Sequence, residues 1–583
     1  MINQKSIAVL PFNNTSGDIE NQYFADGISE EIINTLSKIS GLKVTSRTSS
    51  FSYRDKQVDA RHIGNELGVS TLLEGSVRKA SKRIRIAAQL IRTDTGFQIW
   101  SESFDRELID IFDLQDEISM LIAEKIREHF GHFDIQDDFN TPKTTESAAY
   151  EAYLKGRYYQ LQWTNESIQK AQEAYKESIE IDPKYPMPYL GLSQSFAHYA
   201  AWSQVDRMKG LYMAQHFIKK LGNDFNHLAD LHYTKGLYAF IGNWNFEKAQ
   251  FHLSEALKIN ANYAEALEFQ ADLCNVLGAF KEAQTYINRA LSLNPNALNH
   301  HYTKAIGYYL SAKYQEAIKA LDGALSILNT WQMALELKAL CLLLLGEESA
   351  FRVTVEQAKP ETQQALFQLW HAYHQQQPSD LEITNAYDFY LGIPVYLKLY
   401  SGQHQEAFDH LVDSVKNRSG QFLGFRFDPL LSPLREITDF KKLEAPFLAM
   451  TLGEAKKTDI KTEEEVLTES EVASYSEVVR RLMYEERVYI DAHLTLRNLA
   501  EKVELHPNKL SWLINQKIGK GFNEYINEYR LKDFQERALD PANSHLTLLG
   551  LAYDSGFNSK SVFNDFFKKK TGMTPKAWVK SNN

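Results

Sequence analysis

The feature that most limits the fold is a step of 34 residues. Ala249, Ala283 and Ala317 keep it, as do Phe246, Phe280 and Tyr314. Leu253, Ile287 and Leu321 share it, then Ala256, Ala290 and Ala324. In a second helix, so do Ala271, Ala305 and Ala339. Antiparallel helices approach closely only where a small side chain sits at their crossing and a bulky neighbour fills the adjoining hole. Five positions on one period therefore predict stacked helical hairpins that share a continuous core.

This is the period of the tetratricopeptide repeat (TPR), and such an array is expected over residues 144–450. Outer units are looser. KGRYYQ with QKAQEAYKESIEIDPKYP reads as an early repeat, YLKLYSGQHQEAFDHLVDSV as a late one, and RFDPLLSPLREITDFKKL as the closing segment. Residues 345–385 fit the pattern poorly, so a kink or change of register is expected there. An array of this kind has a concave groove suited to a protein or peptide partner. Tyr158, Tyr159, Phe196, Tyr199, Tyr308 and Tyr309 lie on candidate inner helices. Packing between repeats accounts for most of them, and a ligand surface is the alternative.

Residues 1–131 alternate strand and helix signals and read as an α/β domain. SIAVLPFNN, YFADGISEEI, LLEGSVRK and FDRELIDIFDLQDEIS resemble the TolB-type domain found beside TPR arrays in bacterial regulators. That resemblance implies a fold and little chemistry. Asp26, Glu30 and Glu31 are expected to form a solvated first helical turn, where the helix dipole favours acids. No phosphate loop, metal-spaced His/Cys set or nucleophile elbow is present in the sequence, so neither an enzyme nor a cofactor or metal site is expected. Residues 451–475 are acidic and poor in large apolar side chains. They read as a linker, with a coupling helix as the alternative.

Charge separates the last part from the rest. The chain has a formal net charge of -11, yet from His493 onward 14 Lys and Arg face 9 Asp and Glu. The preceding residues therefore carry -16. A basic tail on an acidic body is the asymmetry of a nucleic-acid-binding module joined to something else. The acidic body is expected to suppress non-specific DNA binding by the tail, by repulsion or by docking.

Residues 476–583 hold two similar units, LTLRNLAEKVELHPNKLSWLINQKIG and LTLLGLAYDSGFNSKSVFNDFFKKKTG. Each has a short helix with alanine near its end (Ala500, Ala552), a tight turn and a second helix. Leu510, Leu513 and Ile514, then Val562, Phe563, Phe566 and Phe567, are expected inward. Asn558 or Ser559 can cap the last recognition helix. Residues 522–539 read as one helix joining the units. This arrangement, with GF-x-S-x-S-x-F-x-x-x-FKK-x-x-G-x-TP at its end, resembles the AraC/XylS DNA-binding domain. The resemblance covers about the last hundred residues. It implies that each recognition helix enters a major groove of double-stranded DNA. Carried over position by position, it implies base reading by Asn508, Ser511 and Trp512 in the first unit. In the second it implies Lys560, Ser561, Asn564 and Asp565. Phosphate contacts are expected from Lys509, Lys517, Lys520, Lys568 and Lys569. His506 stands where the family usually has Ser or Thr, and Glu504 where a turn glycine is common.

The sequence is thus expected to be multidomain and mainly α. It combines an N-terminal α/β domain, a TPR α-solenoid and a C-terminal all-α double helix-turn-helix. It reads as a bacterial, cytoplasmic, membrane-free DNA-binding transcription regulator of AraC type. Its partners would be DNA and a protein or peptide in the groove, with room for a small-molecule effector and a homodimer. The alternative is an interaction scaffold whose helix-turn-helix units no longer read bases. Cys274 and Cys341 lie in apolar helical text and are expected to be buried free thiols.

Overall fold

The computed structural model describes residues 3–582 except 17, 19–20, 81–82, 109–110, 136–143, 162–164, 202–206, 223, 376–388, 449–466 and 544. Six strands form one sheet: β1 (Asn3–Val9), β2 (Asn13–Asn14), β3 (Lys43–Val44), β4 (Val69–Ala80), β5 (Arg83–Arg92) and β6 (Gln98–Glu107). The order is β3-β1-β4-β5-β6, with β2 beside β4. β1 runs parallel to β3 and β4, whereas β4, β5 and β6 form an antiparallel meander. The meander follows from the short spacing between β4 and β5 and the turn after Arg92, and the parallel pairings from the intervening helices. Helices Gln22–Ser37 and Ile111–Phe130 cover the sheet with Ile28, Ile32, Leu36, Ile118, Ile122 and Ile126, all buried.

The array follows as paired helices from Ser147 onward. Its central helices are Phe246–Ile259, Ala264–Val276, Phe280–Leu293, Leu298–Leu310 and Tyr314–Ile327. All nine alanines named above for the 249, 256 and 271 positions and their successors are fully buried, as are Leu253, Ile287 and Leu321. Period and packing therefore coincide. Cys274 and Cys341 are buried and free, with burial pushing both thiols up to about 12. Within the poorly fitting stretch lie helices Glu348–Val355 and Pro360–Gln375, and its residues 376–385 lie outside the described residues. Among the expected groove aromatics, Tyr309 is buried and bonds Asp428, Tyr158, Tyr159, Phe196 and Tyr308 are half-buried, and Tyr199 has no described side chain.

Asp26, Glu30 and Glu31 differ from the expectation. The helix begins at Gln22, so they lie beyond its first turn, and all three are buried. Asp26 pairs with Arg54 at 2.5 Å, and Glu30 with Arg47 at 3.2 Å and with Arg157 of the first repeat. Burial alone would raise the Glu30 pKa, but Arg157 and Arg47 hold it below its ordinary value. Burial and the Glu30 charge push Glu31 up to about 7. Glu30 thus joins two domains, a role that periodicity does not reveal.

The α/β domain also seats on loops of the array. Asn262 Nδ2 donates to the Ser37 and Leu42 carbonyls at 3.0 and 2.8 Å, and Ser49 donates to Asn294 at 2.6 Å. Asn296 Nδ2 donates to Ser52 at 3.0 Å. Asn262 and Asn296 stand one repeat apart, so successive repeats present the same residue type to the α/β domain. Residues 451–466 of the expected linker lie outside the described residues, whereas Glu469–Tyr484 is a helix. Thr468 and Glu471 form a reciprocal capping box at its start. No helix among the described residues is long and apolar enough to cross a membrane.

Candidate nucleic-acid interface

The two C-terminal units are built alike. In the first, helix Leu496–Val503 starts at a Thr495/Asn498 capping box and ends at Glu504, in the left-handed region at φ 57°. The recognition helix Pro507–Trp512 continues into a π-helical turn, Leu513–Lys517. His506 caps it, its Nδ1 accepting from the Asn508 N–H at 3.2 Å. An imidazole thus replaces the usual hydroxyl. In the second unit, helix Leu548–Asp554 turns through Gly556 at φ 94°. A Cβ on Gly556 would lie 2.3 Å from the Tyr489 carbonyl, so only glycine fits. Ser559 caps recognition helix Lys560–Thr571, accepting from Val562 N–H at 3.3 Å.

Helix Phe522–Leu539 joins the units. Its Arg530 donates to the Tyr489 and Asp491 carbonyls at 2.7 and 2.8 Å, and burial lowers its pKa to about 10. Leu510, Leu513 and Ile514 are buried, as are Phe563 and Phe567, while Phe566 is half-buried. Val562, expected inward, is 39% exposed. It lies on the face away from Phe534, against which Phe563 and Phe567 pack.

The reading positions divide sharply. Lys560, Ser561 and Asp565 are exposed and Asn564 is half-buried, so the second unit offers its candidate face to solvent. In the first unit Ser511 is buried. Trp512 is buried in the cluster around Leu482 and Met483, with no partner for its Nε1–H. Asn508 is occupied. Its Oδ1 accepts from Arg127 and from the Ile135 N–H at 3.3 Å, and its Nδ2 donates to the Ile135 carbonyl at 3.1 Å. Sequence reasoning missed Arg127 and Ile135 because they lie more than 370 residues away.

The candidate phosphate ligands divide too. Lys509, Lys517, Lys568 and Lys569 are exposed, with Lys517 Nζ 5.4 Å from the Trp512 ring centre. Lys520 pairs with Glu528 at 2.5 Å, and Lys570 with Glu524 and Glu528 at 2.6 and 2.8 Å. Those two cations brace the joining helix.

A second concave region lies between the array and the α/β domain, which contributes Thr48, Ser52, Tyr53, Lys56 and Glu66 to its lining. It encloses 2330 Å³ and is lined by Glu268, Asp272, Tyr302, Trp331, Tyr390 and Asp428 among others. Burial raises the pKa of Glu268 well above the usual carboxylate value and that of Asp272 to about 7. His300, 3.6 Å from Glu268, is kept neutral by burial, with its pKa lowered to about 3.

This architecture joins a double helix-turn-helix domain to an array of paired helices with a 34-residue step. Residues 499–581 match a helix-turn-helix domain family. Residues 3–121 match the second domain of HilA/YgeH-like transcriptional regulators, whereas the TolB-type resemblance gains no support. The chain is 34% identical to the HTH-type transcriptional regulator YobQ of Bacillus subtilis over 99 residues, 16% of this chain and 40% of that protein. It is 44% identical over 188 residues to a Rhizobium meliloti protein bearing the name adenylate cyclase 3, 32% of each chain. The chain thus spans less than half the length of these curated relatives. Among solved structures it is similar to the TPR protein YrrB at 20% identity, covering 32% of this chain and 91% of that one, with a TM-score of 0.23. A TPR protein from Parabacteroides merdae is 14% identical and covers 49% of this chain and 100% of that one, with a TM-score of 0.30.

Proposed function

We propose that the chain is a sequence-specific DNA-binding transcription regulator that reads two successive major grooves and takes its signal through the array. The observation that carries this reading is the exposed face Lys560, Ser561, Asn564 and Asp565, flanked by exposed Lys568 and Lys569 on a capped helix. Asn can bridge N6 and N7 of adenine, Lys can reach O6 or N7 of guanine, and Asp can accept from the cytosine amino group. Lysines beside that face fix register on the phosphates. Selection from a random duplex pool with the full chain tests it. The expected product is a motif read by the second unit, with a second half about one helical turn away for chains whose first unit is free. An unselected pool would favour the interaction-scaffold alternative.

The groove supplies the sensing part of the reading. A volume of 2330 Å³ exceeds the roughly 300–1,000 Å³ typical of small-molecule sites, which favours an extended peptide over a small effector. Glu268 and Asp272, without a lysine or arginine ion pair among the described residues, favour a peptide bearing lysine or arginine. Such a cation would keep both carboxyls ionised. A homodimer on a two-part site and a cytoplasmic location accord with this role. Cyclase activity does not form part of it, because the match to the protein named as a cyclase spans only 32% of that protein. An assay for cyclic AMP formation checks this, with none expected.

A further inference from the structure

Among the described residues, the α/β domain meets the DNA reader through the end of helix Ile111–Phe130 and the segment Gly131–Ile135. The contacts are specific. Glu124 pairs with Arg497 at 2.7 Å, and Glu128 accepts from the Leu496 N–H at 3.0 Å. Asn523 Nδ2 lies 3.0 Å from His129 Nδ1. Gly131 has φ 98°, and a Cβ there would come within 2.8 Å of Asn515 Nδ2, so the two domains meet at backbone distance. Arg127 is only 2% exposed and donates to Asn508.

The chemistry at Asn508 goes further than proximity. An adenine edge offers a carboxamide one donor, N6–H, and one acceptor, N7. The Ile135 peptide offers the same pair, N–H and C=O, to the same carboxamide atoms. We propose that residues 124–135 are a docking surface for the chain's own first helix-turn-helix unit, with the Ile135 backbone standing in for a base edge at Asn508. Docked, the first unit cannot enter a groove, because Asn508 cannot serve Ile135 and a base together. The second unit stays exposed, so the docked chain engages DNA through one unit only. The same α/β domain is bonded to the array through Arg157, Asn262 and Asn294. A ligand in the array therefore releases the reader only by its differential affinity for the docked and free states.

This inference rests on the DNA-reading function proposed above, and its test separates the two. The test uses the full chain and the variants Arg127→Met and Ile135→Pro. The first removes a cation from the body, and the second removes the Ile135 N–H without changing charge. Near-ultraviolet circular dichroism establishes that each retains its tertiary packing, and either variant alone suffices. Two readouts are taken: amide exchange across residues 496–515, and affinity for a random-sequence duplex by fluorescence anisotropy. The proposal expects faster exchange and about three- to thirtyfold tighter DNA binding, the scale of losing one or two hydrogen bonds from the docked state. Simple charge repulsion expects the reverse for Arg127→Met, because the body becomes more acidic. Unchanged exchange would overturn the docking. Faster exchange with unchanged or weaker DNA binding would overturn competition with DNA. If neither wild type nor variants bound any duplex, the DNA-reading function itself would fall, whatever the exchange showed.

Discussion

Glu504 and Gly556 take the left-handed position in equivalent turns, but only Gly556 is the residue that position favours. Glu504→Gly should stabilise the first unit by about 0.5–1 kcal/mol, read as a higher urea midpoint for the C-terminal domain. Glu336 carries a pH dependence. It is fully buried, its Oε2 accepts from the Tyr390 N–H at 2.9 Å, and its Oε1 has no partner. Burial raises its pKa from 4.5 to about 8. The folded chain therefore holds this proton more tightly than the unfolded one. The stability it contributes is complete below the unfolded value and is lost as pH rises through about 8. Glu336→Gln should be more stable than wild type at pH 8.5 by about 1–3 kcal/mol and nearly equal to it at pH 4, followed by thermal melting. At the proposed interface, Asn564→Ala should cost about 1–3 kcal/mol of discrimination at one or two base pairs. Lys569→Ala should weaken all duplexes alike. Competition titrations with single-base variants distinguish the two. The candidate reading residues were legible one by one, because their spacing on a helix is local. The partners of Asn508 and Glu30 were not, because pairing across domains leaves no periodic mark.

At the scale of elements, the repeats were the most legible part. Alanine at a helix crossing is a steric requirement that recurs, so the 34-residue step carried through to complete burial at every alanine position tested. Ala283→Leu should therefore overpack the crossing and destabilise the array by about 1–3 kcal/mol, measured by the urea midpoint. The helix Glu469–Tyr484 was less legible. Its acidic composition hid an amphipathic face on which Val479, Leu482 and Met483 are buried. The T-x-x-E capping signature at Thr468 was the local clue to it. Val562 shows the reverse error. Apolar character suggested the core, but Phe563 and Phe567 already pack against Phe534. The π-helical turn after Trp512 has no sequence signature, and it places Lys517 beside the indole.

Across the whole molecule, charge and order of domains gave the broad division of labour, while contacts between domains gave its detail. The α/β domain bonds both the array and the C-terminal domain, which under the proposed function makes it the route from groove to reader. Under the proposed function, the net charge of -11 would weaken non-specific attraction to DNA and leave affinity dependent on base contacts. The most direct test of the central claim is a salt series by fluorescence anisotropy. The full chain is titrated onto the motif selected from the random pool and onto a scrambled duplex of equal composition. The account predicts that affinity for both falls with salt, at a log–log slope near -0.9 for each phosphate neutralised. It also predicts that the selected motif stays at least about a thousandfold tighter at moderate salt. Equal affinity for the two duplexes at every salt concentration would contradict it.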